Sequence, residues 1–288
     1  MLDELLPSAF RVVELHEDPP GIALYPQERV HVARAVEARR REFTTGRHCA
    51  RLALGRLGVP PVAIGRGPLG APTWPDGVVG SITHCAGYRA AAVARAVDVA
   101  TVGIDAEPAD PLPDGVLELV SLPAERVELA TLAAGWPGVP WDRLLFSAKE
   151  SVYKAWAPVT GVFLDFDGAE VRFRPHDGTF VARLLVSGAT AVAGRDGTLH
   201  GRFAVRDGLL ATAVVRVAEP SRSGGRLGFG AAAGRRGEAA EQCGPGEFSL
   251  VADPELRPDA LDVGVHGVRT YAEPGGDLPM GEPSGDLA

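Results

Sequence analysis

Gly87-Tyr-Arg-Ala-Ala-Ala-Val-Ala-Arg95 and Gly208-Leu-Leu-Ala-Thr-Ala-Val-Val-Arg216 agree at five of nine positions. Each stretch follows a turn, reads as a strand, and comes after a long helical segment. The first of those segments bears arginines and the second bears lysines. Two such strands arise by chance among Ala/Val-rich sequences, or they mark two related α+β halves with a site in the cleft between them. Working outward, Val78–Thr83 and Thr101–Glu107 read as strands flanking the first copy. Short strands are predicted near 171–174, 180–186 and 201–205. Apolar spacing predicts helices over Arg29–Leu57, 116–119, 123–133 and Trp141–Trp156. In the last of these, Leu145, Ala148, Val152 and Trp156 share a face. Gly58-Val59-Pro60-Pro61 stops the first long helix, and Gly65–Gly77 is a Gly/Pro-punctuated loop.

The chain has 288 residues, 45% of them hydrophobic, which is enough for a sizeable core. Its composition changes near Pro220. Residues 221–288 are Gly/Pro-rich without periodicity and read as a disordered tail. That segment carries 6 Arg and 11 acidic residues, so the formal charge of −8 falls to −3 for residues 1–220. Neither figure suits a coat for nucleic acid. Cys49, Cys85 and Cys243 are odd in number and unpaired by spacing. Buried free thiols in a reducing cytoplasm are expected. Met1–Phe10 carries Asp3 and Glu4 without a basic cluster, and no apolar run is long enough to span a bilayer. The expectation is a cytoplasmic protein working without membrane or nucleic acid, as a monomer.

Four groups of residues carry chemistry. Asp105 and Glu107 alternate along a strand and so face the same way. Two such acids repel unless a cation lies between them, and carboxylate oxygens suit Mg²⁺. Two solvated acids at a strand end are the plain alternative. Glu150 and Lys154 lie four apart on a helix that also carries Lys149. They make an ordinary surface ion pair, or a phosphate-plus-metal site in which lysines act as point charges. Arg40, Arg47 and Arg51 share a helix face, with Arg39 and Arg41 beside it, a cluster suited to a phosphate monoester or simply a solvated face. Thr83 and His84 end a strand at a turn. Together these groups suit a magnesium–diphosphate ligand bearing one further phosphate, and coenzyme A is such a ligand.

The order of Gly-Arg-His-Cys-Ala-Arg (46–51), Trp-Pro-Asp-Gly-Val-Val-Gly-Ser-Ile-Thr-His (74–84), Gly-Ile-Asp-Ala-Glu (103–107) and Phe-Ser-Ala-Lys-Glu-Ser-Val-Tyr-Lys-Ala-Trp (146–156) resembles the phosphopantetheinyl transferase superfamily. The similarity is to the branch of enterobactin synthetase component D and the actinobacterial, mycobacterial-type enzymes. It covers roughly residues 10–217. It implies an α+β pseudodimer of two related α/β halves, here 1–105 and 106–220, with the active site in the cleft between them. It also implies transfer of the phosphopantetheine arm of coenzyme A to a serine of an apo acyl or peptidyl carrier protein, releasing 3′,5′-ADP. Siderophore, polyketide or fatty-acid biosynthesis would be served.

By the same resemblance Mg²⁺ falls to Asp105, Glu107 and Glu150, with Asp105, Glu150 and Lys154 as the catalytic set. Lys149 and Lys154 would hold the coenzyme's phosphates. His84, with Thr83 beside it, would meet the nucleotide phosphates, and Arg39 and Arg47 the 3′-phosphate. Arg66 would serve in the nucleotide loop, and Leu164 would line the pantetheine channel. The serine proton would pass to Glu150 or to a metal-bound water. The loop Gly67–Ala71 lacks the Lys or Glu that relatives often carry there, and Ala106 offers only backbone to the site. A degenerate relative that binds coenzyme A or carriers without catalysis would lack one of these acids or lysines, and all are present.

Overall fold

The computed structural model describes residues 1–219; the segment 221–288, read from sequence as a disordered tail, lies outside the described residues. In chain order the elements are α1 (Leu2–Leu5), β1 (Arg11–Leu15), α2 (Pro26–Arg29), α3 (Glu37–Arg56), β2 (Gly65–Arg66), β3 (Pro72–Thr73), β4 (Val78–Cys85), β5 (Tyr88–Arg95) and β6 (Val99–Pro108). They continue with α4 (Val116–Val120), α5 (Pro123–Gly135), α6 (Trp141–Thr160), β7 (Ala169–Arg174), β8 (Thr179–Leu184), β9 (Thr198–Arg206) and β10 (Leu209–Val217). The fold is α+β.

Two antiparallel sheets carry the architecture, ordered β1-β5-β4 and β6-β10-β9-β8-β7, with a small β2-β3 ribbon. The echoed strands are β5 and β10, and both have neighbours on either side. Each is entered through a glycine in the left-handed region, Gly87 at φ 70° and Gly208 at φ 75°. Only a residue without Cβ adopts that conformation freely. The alanine content of β5 follows from burial on both faces. Ala90, Ala92 and Ala94 pack toward α1 and β6, and Ala91 and Val93 pack toward Cys49, Ala50 and Leu54 of α3. Larger side chains would not fit between a sheet and layers on both sides.

The second sheet is covered by α6. Leu144, Leu145, Ala148, Val152 and Trp156 are almost fully buried against Val171, Phe180, Ala182, Leu199 and Leu210. Each large side chain removed from water there contributes about 1.5–3 kcal/mol. The face predicted from spacing is the buried one, and the helix runs on to Thr160, beyond the expected Trp156.

The sheets meet at β4 and β6 without a backbone ladder. Ser81 Oγ accepts from the Ile104 N–H and Thr83 Oγ1 from the Ala106 N–H, both at 3.1 Å. Side-chain hydroxyls thus take the place of strand carbonyls. β6 runs through residues 105 and 106.

Two sequence expectations are corrected. The stretch Arg29–Leu57 is not one helix. It breaks after α2, and extended Val36 precedes the restart at Glu37. The break lets the chain fold back so that Val32 packs with Leu24 and Phe43. Its end is as expected: Gly58, at φ 74°, donates to the Gly55 carbonyl at 3.0 Å and Val59 to the Leu54 carbonyl at 2.9 Å, closing the helix with a left-handed glycine. The strand β1 had no place in the sequence reading. Its register partners, Arg89–Val93, lie far along the chain, so nothing local announces it.

Cys49 and Cys85 are buried free thiols, as expected. Burial pushes both up to about 12, with the charges of Glu107 and Asp105 adding at Cys85. Thiolate is the reactive form. The native protein at pH 7.5 should therefore leave both unlabelled by iodoacetamide, as read by peptide mapping, with labelling appearing in denaturant. Among the described residues no helix is long and apolar enough to cross a membrane.

Candidate active site

The centre of the site is where β6 lies against α6, the two running in opposite directions. Thr101 donates to the Ala155 carbonyl at 2.7 Å. Two residues on, Gly103 lets the helix backbone come so close that a Cβ there would lie 1.8 Å from the Ser151 carbonyl oxygen. Two further on, Asp105 Oδ1 accepts from Lys154 Nζ at 2.6 Å and from Thr83 Oγ1 at 3.2 Å. Glu107 Oε2 accepts from Arg143 at 3.1 Å. One face of β6, residues 101, 103, 105 and 107, is thus contacted along its length by α6. Thr212 on β10, opposite Asp105, is fully buried and hydrogen-bonds the hydroxyl and carbonyl of Ser147.

The electrostatics are those of crowded acids. Glu150 is 6% exposed. Burial first, then the charges of Asp105 and Glu107, push its carboxyl up to about 8 against the pull of Lys154. Burial and Asp105 likewise push Glu107 up to about 7. Lys154 is held above its ordinary value. Burial works against its charge, but Asp105 and Glu150 outweigh it. The second oxygen of Asp105, Oδ2, is buried with no hydrogen-bond partner. A buried orphan oxygen beside two acids that resist ionisation is a donor set that a hard divalent cation satisfies. The set is not gathered in advance. Lys154 and Arg143 hold two of the acids, and among the described residues no three His, Cys, Asp or Glu side chains stand together as a ready metal cage.

On β4 and α3 the expected anion-binding residues divide. Arg39 donates to His84 Nε2, and Glu42 lies beside both, 3.3 Å from Arg39 and 3.5 Å from His84 Nδ1. Arg47 is buried, stacks on Phe43 at 4.2 Å, and donates to the carbonyls of Ile64 at 2.8 Å and Gly65 at 3.2 Å. It lowers to about 10, chiefly through burial, with the charges of Arg66 and Arg39 contributing. Arg66 is exposed on β2. Arg51, which shares the helix face, is no phosphate ligand. Its Nη1 donates to both oxygens of fully buried Glu28, at 2.8 and 2.9 Å, and its Nη2 to the Ala23 carbonyl at 3.0 Å.

Two further expected site residues, Lys149 and Leu164, are buried. Lys149 is 3% exposed and donates to Glu125 at 2.7 Å and to the Phe166 carbonyl at 2.7 Å. Its charged neighbours are Glu125, Asp167 and Glu170, not the acids of β6. Leu164 is 7% exposed and belongs to the core beneath α6. Glu125 also accepts the N–H groups of Leu122 and Val171, at 2.7 and 2.8 Å, so the Lys149 pair ties α5, α6 and β7 together. Lys149→Met leaves Glu125 as an unpaired buried charge, a loss of about 3–5 kcal/mol. Urea unfolding of that variant should show it, and Glu125→Gln in the same chain should recover part of it.

Arg143 was missed from sequence. The signal was available: residues 143, 147, 150 and 154 follow the i, i+4, i+7, i+11 spacing of one helix stripe.

Comparison with known proteins supplies the class. The family model "4'-phosphopantetheinyl transferase N-terminal domain" matches residues 27–94, and "4'-phosphopantetheinyl transferase superfamily" matches residues 101–207. The chain belongs to the 4'-phosphopantetheinyl transferase superfamily. Among individual proteins, it is 60% identical over 204 residues to the 4'-phosphopantetheinyl transferase Svp of Streptomyces mobaraensis, covering 71% of this chain and 82% of that one. It is 51% identical over 207 residues to the 4'-phosphopantetheinyl transferase PptT of Mycobacterium tuberculosis, covering 70% and 90%. Enterobactin synthase component D of Salmonella typhimurium is 38% identical over 120 residues, covering 41% and 49%.

Proposed function

We propose that this chain transfers the phosphopantetheine arm of coenzyme A to a serine of an acyl or peptidyl carrier protein and releases 3′,5′-ADP. The observation that carries the reading is Asp105, held by Lys154 and Thr83 with its second oxygen orphaned, beside Glu107 and Glu150. Asp105, Glu150 and, after a change of partner, Glu107 would hold Mg²⁺, which neutralises charge on a diphosphate when bound. Lys154, already directed at this point, donates to a phosphate oxygen of the coenzyme. The serine oxygen forms a bond to the β-phosphorus as the bond to 3′,5′-ADP breaks. Glu150, on the same helix stripe as Lys154 and beside Asp105, is the carboxylate placed to accept the serine proton. Arg39, His84, Arg47 and Arg66 face the nucleotide phosphates, and Thr83 positions Asp105 rather than touching substrate. Catalysis of this kind is positioning and electrostatics.

The two halves are read as 1–105 and 106–220, meeting within β6, with the site in the cleft between them. The support is the sequence echo, the matching surroundings of β5 and β10, and two family models that divide between residues 94 and 101. A cytoplasmic location fits the two buried free thiols among the described residues, and siderophore assembly fits the name of the enterobactin synthase relative. Incubation with coenzyme A, Mg²⁺ and a panel of apo carrier proteins tests the function by intact mass. One added phosphopantetheine on a carrier is the expected result, and no addition to any carrier overturns the reading.

A further inference from the structure

Two of the three acids at the site are paired with basic side chains. Lys154 pairs with Asp105 at 2.6 Å and Arg143 with Glu107 at 3.1 Å. The Arg143 side chain is 13% exposed and does more than neutralise. Its Nε donates to the Asp110 carbonyl at 3.1 Å and its third nitrogen to the Pro111 carbonyl at 2.9 Å. Its neighbour Asp142 accepts from the Leu112 N–H at 2.9 Å. The first turn of α6 therefore pins residues 110–112, and the same guanidinium draws Glu107 toward that end of the helix. Lys154 is eleven residues further along, at the other end of the stripe.

We propose that Arg143 is a positioning residue that withholds Glu107 from the metal site in the ligand-free protein, so that a divalent cation binds tightly only together with a diphosphate. The inference rests on the metal-site reading above and adds to it an order of assembly. With Asp105 and Glu107 each paired, a dication arriving alone meets one unpaired acid, Glu150, and the fields of two cations. In a half-buried site, each such charge weakens binding by roughly tenfold or more. A diphosphate changes the balance. Its oxygens accept from Lys154, which frees Asp105, and its charge offsets that of Arg143.

The test uses the full chain and Mn²⁺, a cation that takes the same oxygen ligands as Mg²⁺, with free Mn²⁺ read by electron paramagnetic resonance. For the parent chain, coenzyme A should tighten Mn²⁺ binding at least tenfold over Mn²⁺ alone. Arg143→Met should tighten the binding of Mn²⁺ alone by roughly tenfold and shrink the effect of coenzyme A. Arg143→Lys, which keeps the charge, should behave as the parent. Arg143→Met combined with Glu107→Gln should bind Mn²⁺ alone no tighter than the parent, since the released acid is gone. If Arg143→Met fails to fold, Arg143→Gln keeps donors for the loop carbonyls and should give the same tightening. Neutral variants that bind Mn²⁺ alone no tighter than the parent, while coenzyme A still acts, overturn the role of Arg143. A parent chain that binds no Mn²⁺ even with coenzyme A overturns the metal-site reading itself, and this inference with it.

Discussion

Gly103→Ala should cost about 3 kcal/mol or more and lower the melting temperature by roughly 10 °C. The added Cβ would lie 1.8 Å from the Ser151 carbonyl oxygen and 2.7 Å from the Ala155 nitrogen. Both are helix backbone, which no rotamer change moves aside. To accept the methyl group, α6 must lift from β6. Lifting breaks the Thr101–Ala155 bond at 2.7 Å and the Asp105–Lys154 pair at 2.6 Å, so activity should fall with stability. Gly55→Ala is the control. That glycine is on exposed helix with nothing within 4 Å of an added Cβ. There the same change should raise stability by about 0.5–1 kcal/mol, since alanine gives up less backbone entropy. Thermal unfolding of both variants measures the contrast. A Gly103→Ala protein that melts within about 2 °C of the parent, a margin of roughly half a kcal/mol, would mean that helix and strand do not approach this closely.

Asp105→Asn should abolish transfer to the limit of detection, roughly 10³-fold, with little change in melting temperature. The amide keeps an acceptor for Thr83 and Lys154, so the local bonds at 3.2 and 2.6 Å have a substitute. What it removes is charge, together with the orphaned Oδ2. Glu150 should also become easier to ionise, because one of the acids that pushes it up is gone. The measurement is initial rate of carrier loading at saturating coenzyme A, beside a thermal melt. An Asp105→Asn variant that loads carriers at about a tenth of the parent rate or faster would remove Asp105 from the chemistry.

The sequence made some of this legible and hid the rest for definable reasons. Strand alternation placed Asp105 and Glu107 on one face, and the apolar stripe of α6 placed its buried side. Both are periodicities of a single element, and such information is local. The partner of an ion pair is not. Glu28 reaches Arg51 across 23 residues, and Glu125 reaches Lys149 across 24. Neither pairing has a pattern in the chain. Both turned an expected phosphate ligand, or its neighbour on the helix, into part of the scaffold. Lys149 and Lys154 are five residues apart, about 140° around an α-helix, so they point to different sides of it. The same arithmetic would have put Arg143 on the stripe of Glu150 and Lys154. The break between α2 and α3 was hidden differently. Val32, in a 3-10 turn directly after α2, packs with Leu24 and Phe43, contacts that helical spacing within Arg29–Leu57 does not announce.

The seam between the sheets has a consequence for how the molecule opens. The amides of Ile104 and Ala106 are bonded to Ser81 and Thr83 hydroxyls rather than to a neighbouring strand. Their protons therefore report on one event alone, the parting of β4 from β6, whereas the amides between β6 and β10 report on melting of a ladder. In deuterium exchange the two classes separate in time. The slower class records global unfolding, and the faster gives the free energy of opening the seam beside Asp105.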